Sequence, residues 1–588
     1  MNNPQVLTLS HITFSYPEST EPIIEDVSLT LSPGWTVLLG DNGIGKTTLA
    51  RLAIGSLRPQ SGHISPAPAT VVSAFCQQDA KLPPDNLDDF AADWSAETLH
   101  IRKLLGIGDD WPYRYDTLSG GEAKRVQIAC ALAVYPDILV LDESTNYVDA
   151  PTRDAICSAL DTFSGIGILV SHDVELIDRV AARCAYFERI HRNGRNFTQI
   201  KLRPGNFSAS QSQLRKDDES EKRRLREATM QVNRLNAVKH DRDREVAKVE
   251  AQKHGGRKID PKDHDARNTL KMRNMMGRDA SSSAASAQIG ARIEFARKRE
   301  QGIAVGAKRY DGRLDLIADI RPSHRDELVG FGPGVIEYGG SGLSEKSLPP
   351  DFSLRQVSIF GFDADTGDGA YRSENEGREP ADKTSEKSAD SRDGNAVLSS
   401  NYRGIRVPRL SVGPTDHIGV TGSNGTGKST LVNALLEVFS QQDLPILVIP
   451  QETDVNDQGG VLSRFVSLAQ MQRSKVLSDY AQLNSNPKRV LDIAEKFTAH
   501  ETSASGKETQ IVDTRDVLSP GELRKLLLCV GLLDGPQLMV LDEPTNHLDL
   551  HSKEALANAL SSYAGALIVV SHDMWFLEKV ASLRWDIR

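Results

Sequence analysis

Short apolar runs alternate with helical patterns in both halves of the chain. Residues 7–14 alternate apolar and polar side chains, which predicts a strand. Uninterrupted apolar runs that stop at glycine-rich or polar residues predict further strands. These runs end at residues 39, 141, 170, 420, 449, 541 and 570. Because helical patterns separate the runs, each half is predicted to have an α/β fold.

The middle of the chain is strongly charged and helical in pattern. Residues 211–253 predict one helix that is broken at 254–256, where two glycines occur. A second helical stretch is predicted from about 262 to 300, interrupted near 281–283. A helix of some 40 residues reaches about 60 Å, so the two would form a projecting hairpin. The first helix has a and d heptad positions at Leu225, Ala228, Val232, Leu235, Val246 and Val249, interrupted by Lys239 and Arg242.

Residues 363–395 have a different composition. This segment contains no Leu, Ile, Val, Phe or Met, and it has ten acidic against five basic residues. Such a segment cannot bury enough apolar surface to offset the loss of chain entropy. It is predicted to be a disordered insertion in the second half.

Composition narrows the class of protein. A chain of 588 residues is long enough for several domains, and its five scattered cysteines include no C-x-x-C pair. The sequence shows neither an apolar run long enough to span a membrane nor a secretion signal, which predicts a cytoplasmic protein. The net charge is −10, yet residues 215–299 carry 23 Lys and Arg against 14 Asp and Glu. The basic segment is therefore a candidate surface for binding nucleic acid phosphates, although charged helices are also common as solvated arms.

Two glycine-rich loops fit the pattern G-x-x-x-x-G-K-[ST], each between a strand and a helix. In this pattern backbone N–H groups surround nucleotide phosphates, the lysine contacts the outer phosphates, and the hydroxyl after it binds Mg²⁺. Lys46 with Thr47 and Lys428 with Ser429 are the predicted pairs. The predicted ATP-binding residues are Gly40, Asn42, Gly43, Gly45, Lys46, Thr47, Thr48, Gly422, Asn424, Gly425, Gly427, Lys428, Ser429 and Thr430.

Four further motifs follow each loop in the same order. A glutamine after an apolar run (Gln78 or Gln451) could bind Mg²⁺ or water. Ser119 and Glu122 form a capping box that opens a helix, together with Gly120 and Gly121; Ser519, Gly521 and Glu522 occupy the equivalent positions. A strand ends in Asp142-Glu143 and in Asp542-Glu543, where the aspartate suits Mg²⁺ and the glutamate can act as a base toward water. The last motif is a histidine, His172 or His572, that could contact a γ-phosphate.

Each of these motifs alone has an ordinary structural explanation, but a duplicated ordered set is specific. The chain resembles the ATP-binding cassette ATPases, which implies two cassettes at 1–205 and 311–588 with a linker at 206–310. The resemblance implies two ATP held head to tail, each completed by the signature helix of the opposite cassette. One site would combine Lys46, Asp142, Glu143 and His172 with Ser519 and Gly521, and the other would combine Lys428, Asp542, Glu543 and His572 with Ser119 and Gly121.

Two departures from the family pattern concern the helix caps and the catalytic strands. Pro520 replaces a glycine and removes an N–H donor, although proline is tolerated at the first position of a helix. Ser144 and Tyr147 stand where the second cassette has Pro544 and His547. Both glutamates are kept, so two active sites are expected. Tyr16 could stack on a base or simply cap a strand, and Phe331 and Phe362 are the candidates for that role in the second cassette.

The basic linker after Gly205-Asn206-Phe207-Ser208 resembles that of the F-type cassette proteins. Members of that group act on ribosomes, either in translation or in ribosome-protection antibiotic resistance. The short spacing from Gln78 to Ser119 favours the resistance type. Contact of the linker with rRNA is expected, and the candidates near the second helix are Lys271, Met272, Arg273, Met275, Met276 and Arg278. The alternatives are an ATPase subunit that energises a separately encoded membrane transporter and a nucleotide-binding scaffold without turnover.

Overall fold

The structure of the chain is a computed structural model. It describes residues 6–17, 22–143, 148–192, 195–254, 265, 268, 278–301, 312–338, 343–344, 354–361, 404–442, 444–451, 455–503 and 517–588. The insertion predicted at 363–395 lies outside these residues. So do the candidates for rRNA contact, except Arg278.

The first cassette has two sheets. Three antiparallel strands form one sheet in the order β2-β1-β4, and six strands form the other in the order β5-β6-β7-β3-β8-β9. All neighbours in the larger sheet are parallel except β8 and β9. The strands are β1 (Leu7–Phe14), β2 (Ile24–Leu31), β3 (Gly34–Leu39), β4 (Ser61–Ser65), β5 (Ser73–Cys76), β6 (Ile138–Asp142), β7 (Ile166–Val170), β8 (Arg183–Arg192) and β9 (Arg195–Pro204).

Helices connect these strands and cover the parallel sheet. Strands β6 and β7 are buried along their whole length, which explains their uninterrupted apolar sequences. The helices are α1 (Lys46–Ala53), α2 (Leu87–Ala92), α3 (Ala96–Leu105), α4 (Gly120–Ala133), α5 (Ala150–Leu160) and α6 (Val174–Val180), with 3₁₀ turns at Pro68–Thr70 and Trp111–Thr117.

Two helices of the linker, α7 (Phe207–His254) and α8 (Arg278–Gln301), pack along each other. Residues 255 and 256 of the predicted break lie outside the described residues, so the break at 254–256 stays a prediction. The interruption predicted near 281–283 is wrong, because α8 runs through it. Serine costs a helix only about half a kcal/mol per residue, and α8 is held by packing of Ile289 and Ile293, both buried. A short helix, α9 (Asp315–Ala318), follows the linker.

The second cassette repeats the order of the parallel strands, with one exchange at the sheet edge. Its nine-stranded sheet has the order β12-β11-β14-β13-β20-β16-β19-β18-β17, beside a two-stranded sheet of β10 and β15. In the first cassette β9, which follows β8 in the chain, pairs with β8, whereas here the edge of β20 is covered by β13, which precedes the phosphate loop. The strands are β10 (Val329–Phe331), β11 (Gly334–Glu337), β12 (Leu343–Ser344), β13 (Leu354–Gly361), β14 (Gly404–Val407), β15 (Leu410–Val412), β16 (His417–Gly422), β17 (Ile446–Ile449), β18 (Leu538–Asp542), β19 (Ala566–Val570) and β20 (Leu583–Ile587).

More helices lie between the glutamine and the signature motif in the second cassette than in the first. They pack around a core that includes Leu314, Leu316 and Ile317 from the segment that directly follows the linker. Within the described residues, no helix is long and apolar enough to span a membrane. The helices are α10 (Lys428–Ser440), α11 (Val455–Ser467), α12 (Gln470–Gln482), α13 (Pro487–Ser503), α14 (Pro520–Gly531), α15 (Leu550–Ser561) and α16 (Met574–Val580), with a 3₁₀ turn at Leu532–Asp534.

Candidate functional site

The two glycine-rich loops have matching backbone conformations. Gly45 has a φ of +106° and Gly427 a φ of +96°, both in the left-handed region that favours glycine. A Cβ would lie 2.8 Å from Ile23 at the first position and 2.6 Å from Ile405 at the second. Both positions therefore need glycine for conformation and for space. Each loop leads directly into a helix that starts with its lysine.

Each lysine of these loops folds back on its own loop. Nζ of Lys46 donates to the carbonyl oxygen of Gly40 at 2.7 Å, and Nζ of Lys428 donates to that of Gly422 at 2.9 Å. Burial lowers the pKa of both lysines. An anion with several oxygens would restore the charge-assisted hydrogen bonds that such a buried ammonium favours.

In the first site five predicted side chains make close contacts with one another in two groups. Oγ1 of Thr47 donates to Oδ1 of Asp142 at 3.0 Å, and Nε2 of Gln78 donates to Oε2 of Glu143 at 2.8 Å. Nε2 of His172 lies 3.8 Å from Oε1 of Glu143. His172 is buried, and neither of its ring nitrogens has a hydrogen-bond partner among the described residues. Among the described residues the ring is therefore available to hydrogen-bond a bound ligand.

In the second site the histidine lies at nearly the same distance from the glutamate, and the glutamate is more enclosed. Nε2 of His572 lies 3.7 Å from Oε1 of Glu543, whose side chain is 8% exposed, against 17% for Glu143. Burial raises the pKa of Glu543 to about 7 and, with the nearby Lys428, lowers that of His572 to about 4. A glutamate with this pKa can exchange a proton with water near neutral pH.

Both glutamates have a strained backbone. Glu143 has a φ of +43° and Glu543 a φ of +46°, although neither is glycine. Their N–H groups donate to the carbonyl oxygens of Val170 and Val570, at the end of the neighbouring strand. Such conformations cost about 1–3 kcal/mol and occur most often at functional sites. The strain directs both carboxylates toward the histidines beyond the sheet.

A cavity of about 350 Å³ lies over the second loop. Gln451 and Asp542 line it together with the loop and the glutamate–histidine pair. Burial raises the pKa of Asp142 and of Asp542, and a divalent cation at these strand ends would stabilise the ionised form. The lining residues are Tyr338, Asn424, Gly425, Gly427, Lys428, Ser429, Thr430, Gln451, Asp542, Glu543 and His572. One carboxylate, one hydroxyl and one amide suit Mg²⁺ that is bound mainly through substrate phosphates.

The aromatic residue at each site lies next to the helix that follows the loop. The hydroxyl of Tyr16 lies 3.3 Å from Oγ1 of Thr48, and that of Tyr338 donates to the carbonyl oxygen of Thr426 at 3.1 Å. Tyr338 was not predicted, because the repeat is hard to align before the second loop. Of the two predicted candidates, Phe331 is only 2% exposed in a core between sheet and helix, so it cannot stack on a base. Phe362 lies outside the described residues.

The capping boxes predicted at the signature motifs are present in both cassettes. Oγ of Ser119 accepts from the N–H of Glu122, and Oε2 of Glu122 accepts from the N–H of Ser119. The same pair of bonds joins Ser519 and Glu522, and Pro520 occupies the first turn of α14. The proline is therefore compatible with the helix start, as the sequence predicted.

Two aspartates without a predicted role join the cassettes. The N–H of Asn42 donates to Oδ2 of Asp549 at 3.2 Å, and the N–H of Asn424 donates to Oδ2 of Asp149 at 3.1 Å. Each aspartate also caps the helix that follows it. The sequence signal was their equal spacing after Glu143 and Glu543. Each phosphate loop is thus in contact with the opposite cassette.

The signature residues do not take part in the cavity over the second loop. All of its lining residues come from the second cassette, and Ser119 and Gly121 are not among them. The head-to-tail pairing of signature and phosphate loop therefore stays a prediction.

Comparison with known proteins shows which protein family has this arrangement of sites. A profile described as "ABC transporter" matches residues 24–146 and again residues 406–546. The ATP-binding protein Uup of Haemophilus influenzae is 30% identical, covering 98% of this chain and 77% of Uup. The solved structure of RNase-L Inhibitor has a TM-score of 0.53 at 14% identity, covering 98% of this chain and 90% of its own. That level of identity supports the fold alone.

Two further relatives match over nearly their whole length. Ribosome protection protein VmlR of Bacillus subtilis is 25% identical over 98% of this chain and 86% of VmlR. Energy-dependent translational throttle protein EttA of Haemophilus influenzae is 23% identical over 95% and 88%. With both phosphate loops, both glutamates and both capping boxes in place, the chain belongs to the F type of the ATP-binding cassette family and is a tandem-cassette ATPase.

Proposed function

We propose that this ATPase acts on the ribosome, where ATP turnover in the two cassettes moves the basic linker. The observation that carries the proposal is the attachment of the linker at both ends to elements next to the ATP sites. The names of two relatives, which refer to ribosome protection and to translation, support the choice of target. Action on ribosomes also implies the predicted cytoplasmic location.

The start of the linker is attached to α6, the helix that follows His172. Phe207 is buried in the core of the first cassette. The N–H of Ser208 donates to Oδ1 of Asp178 on α6 at 2.9 Å, and Oδ1 of Asn206 caps α7 by accepting from Ala209. A displacement of α6 would therefore be transmitted to α7.

The segment that directly follows the linker is attached to the helices of the second cassette, and it fixes the position at which the linker ends. Asp479 on α12 is fully buried and accepts from the N–H groups of Asp315 and Leu316 at 3.1 Å each. Gly312 packs so closely on α15 that a Cβ there would lie 2.0 Å from the carbonyl oxygen of Ala555. Helix α15 begins at the residue after Asp549, so cassette closure would displace this end as well.

In each ATP site we assign the same roles to equivalent residues. Glu143 and Glu543 accept a proton from the attacking water, and Lys46 and Lys428 stabilise charge on the outer phosphates. His172 and His572 contact the γ-phosphate, and the signature serines complete the opposite sites. Mg²⁺, when bound with ATP, would neutralise phosphate charge. The residues assigned to hold it are Thr47, Gln78, Asp142, Ser429, Gln451 and Asp542.

A ribosome-pelleting assay tests this function. The double variant Glu143→Gln with Glu543→Gln should bind ATP without turnover, and we expect it to sediment with ribosomes only when ATP is present. Recovery with membrane protein instead of ribosomes would favour the transporter alternative. Unchanged turnover in the double variant would show that the glutamates are not the bases.

A charge variant tests the role of the linker in the same assay. Arg224, Arg234 and Arg242 are exposed on α7, and their replacement by Gln should weaken pelleting. The slope of the logarithm of the ribosome association constant against the logarithm of salt concentration should become shallower by up to about 2 to 3. The matched control replaces three exposed basic residues of the second cassette, Arg473, Lys488 and Lys496. Equal losses of pelleting in both variants would show that the linker does not contribute specifically to the contact with the ribosome.

A further inference from the structure

Two buried basic side chains cross the interface between the cassettes at equivalent positions. Arg153 lies on α5, four residues after Asp149, and Lys553 lies on α15, four residues after Asp549. They are 6% and 7% exposed. A buried cation is costly unless acceptors surround it, so the identity of the acceptors shows what each side chain holds.

Arg153 connects its own cassette to the histidine of the second site. Its Nε donates to Oδ2 of Asp173 at 2.7 Å, and its Nη1 contacts Glu175. Its Nη2 donates across the interface to the main-chain carbonyl oxygen of His572 at 3.2 Å. Asp173 directly follows His172, so the guanidinium lies between the histidine segments of both sites.

Lys553 repeats this connection in the opposite direction. Its Nζ donates to Oδ2 of Asp573 at 2.9 Å and to the main-chain carbonyl oxygen of His172 at 2.9 Å. Asp573 directly follows His572. The contacts therefore form a closed ring, from His172 through Asp173 and Arg153 to His572, and from there through Asp573 and Lys553 back to His172.

The aspartates in this ring are themselves fixed. Oδ1 of Asp173 caps α6 by accepting from Glu175 and Leu176, and Oδ1 of Asp573 caps α16 by accepting from Phe576. Each basic side chain is thus attached to a rigid helix start on its own side. On the other side it holds the main chain of a histidine whose ring lies 3.7 to 3.8 Å from the proposed base.

We propose that Arg153 and Lys553 are positioning residues that act in trans: Arg153 orients His572 in the second ATP site, and Lys553 orients His172 in the first. The ring makes the position of each histidine depend on the other cassette, and so couples the two sites. The inference rests on the proposed roles of the histidines. It is separate from the contacts of Asp149 and Asp549, which reach the phosphate loops.

The test uses proteins in which only one site keeps its glutamate. In the Glu143→Gln background, only the second site turns over, and Arg153→Met should lower its kcat about 2- to 30-fold with little change in KM. In the Glu543→Gln background, only the first site turns over, and the same substitution should have a several-fold smaller effect. Lys553→Met should show the reverse preference.

Conservative exchange and a control separate positioning from general damage. Arg153→Lys copies the residue of the second cassette and should recover most of the lost kcat, as should Lys553→Arg. Arg179→Met removes an exposed ion pair with Asp154 and should leave both one-site proteins unchanged. If Arg153→Met does not fold, Arg153→Gln keeps a donor for Asp173 and is judged by the same criterion.

Two results would overturn the proposal. One is an equal loss of kcat in both one-site backgrounds, and the other is a loss confined to the site in the same cassette as the substitution. A different failure, in which the double variant Glu143→Gln with Glu543→Gln still hydrolyses ATP, would instead contradict the proposed catalytic glutamates. The two failures are therefore distinguishable.

Discussion

At the scale of single residues, the two ATP sites differ most in the environment of their glutamates. Glu543 is more enclosed than Glu143, and burial raises its pKa to about 7. A raised pKa means that the carboxyl group keeps its proton to higher pH, and a protonated carboxyl cannot accept one from water. Turnover at the second site should therefore be sensitive to acid near neutral pH.

A pH–rate profile of the second site checks this sensitivity to acid. Turnover of the Glu143→Gln variant, which relies on Glu543, should fall as the pH decreases through about 7. The same shift makes ionised Glu543 a cost to folding above pH 7, and Glu543→Gln removes that cost. Turnover of the Glu143→Gln variant that stays unchanged as the pH decreases through about 7 would contradict the assignment.

At the scale of elements, local signals predicted what each segment does, and partners in space decided the rest. The capping boxes at Ser119 and Ser519 follow from residues within a few positions, and the structure confirms them. The interruption expected at 281–283 is absent because packing against α7 outweighs weak serine propensities. Strand β13 shows the same limit, since no local signal indicates that it pairs with β20.

The segment that directly follows the linker offers a test of one contact between distant residues, that of Gly312 with Ala555. Gly312 has a φ of +76° and lies against the backbone of Ala555, so Gly312→Ala should destabilise the protein by about 1–3 kcal/mol. Gly205→Ala at the start of the linker is the matched control, because its φ is +93° but its nearest neighbour for a Cβ is 3.7 Å away. Thermal unfolding should show a larger loss for Gly312→Ala. Equal losses would mean that backbone strain alone matters.

At the scale of the whole molecule, the two cassettes meet through reciprocal contacts near both ATP sites. Asp149 and Asp549 each bind the phosphate loop of the other cassette. Burial opposes ionisation of Asp549, but Lys525, His172 and the helix start at Ser552 outweigh it and lower its pKa to about 2. Leu550 of the second cassette packs into the core of the first. The interface between the cassettes therefore combines charged and apolar contacts.

Serine substitutions of these two aspartates test closure. Serine is a good helix cap, so Asp149→Ser with Asp549→Ser should keep α5 and α15 while losing both contacts to the loops. The parent protein for this test is the Glu143→Gln, Glu543→Gln variant, which should bind ATP without turnover. Small-angle scattering should show that ATP makes this parent more compact. The same protein with both serine substitutions should become less compact on ATP binding than the parent does. The same compaction in both proteins would assign closure to the remaining contacts.

The sequence by itself determined the two phosphate loops, the carboxylate strand ends, the helix caps and the charged hairpin. These features depend on residues close together in the chain, where spacing fixes geometry. Only the tertiary structure decided that Tyr338 lies at the second site, that β13 covers the edge of β20, and that Arg153 and Lys553 reach the opposite histidines. Those contacts join residues up to several hundred positions apart, and their partners are selected by how the two folded cassettes pack.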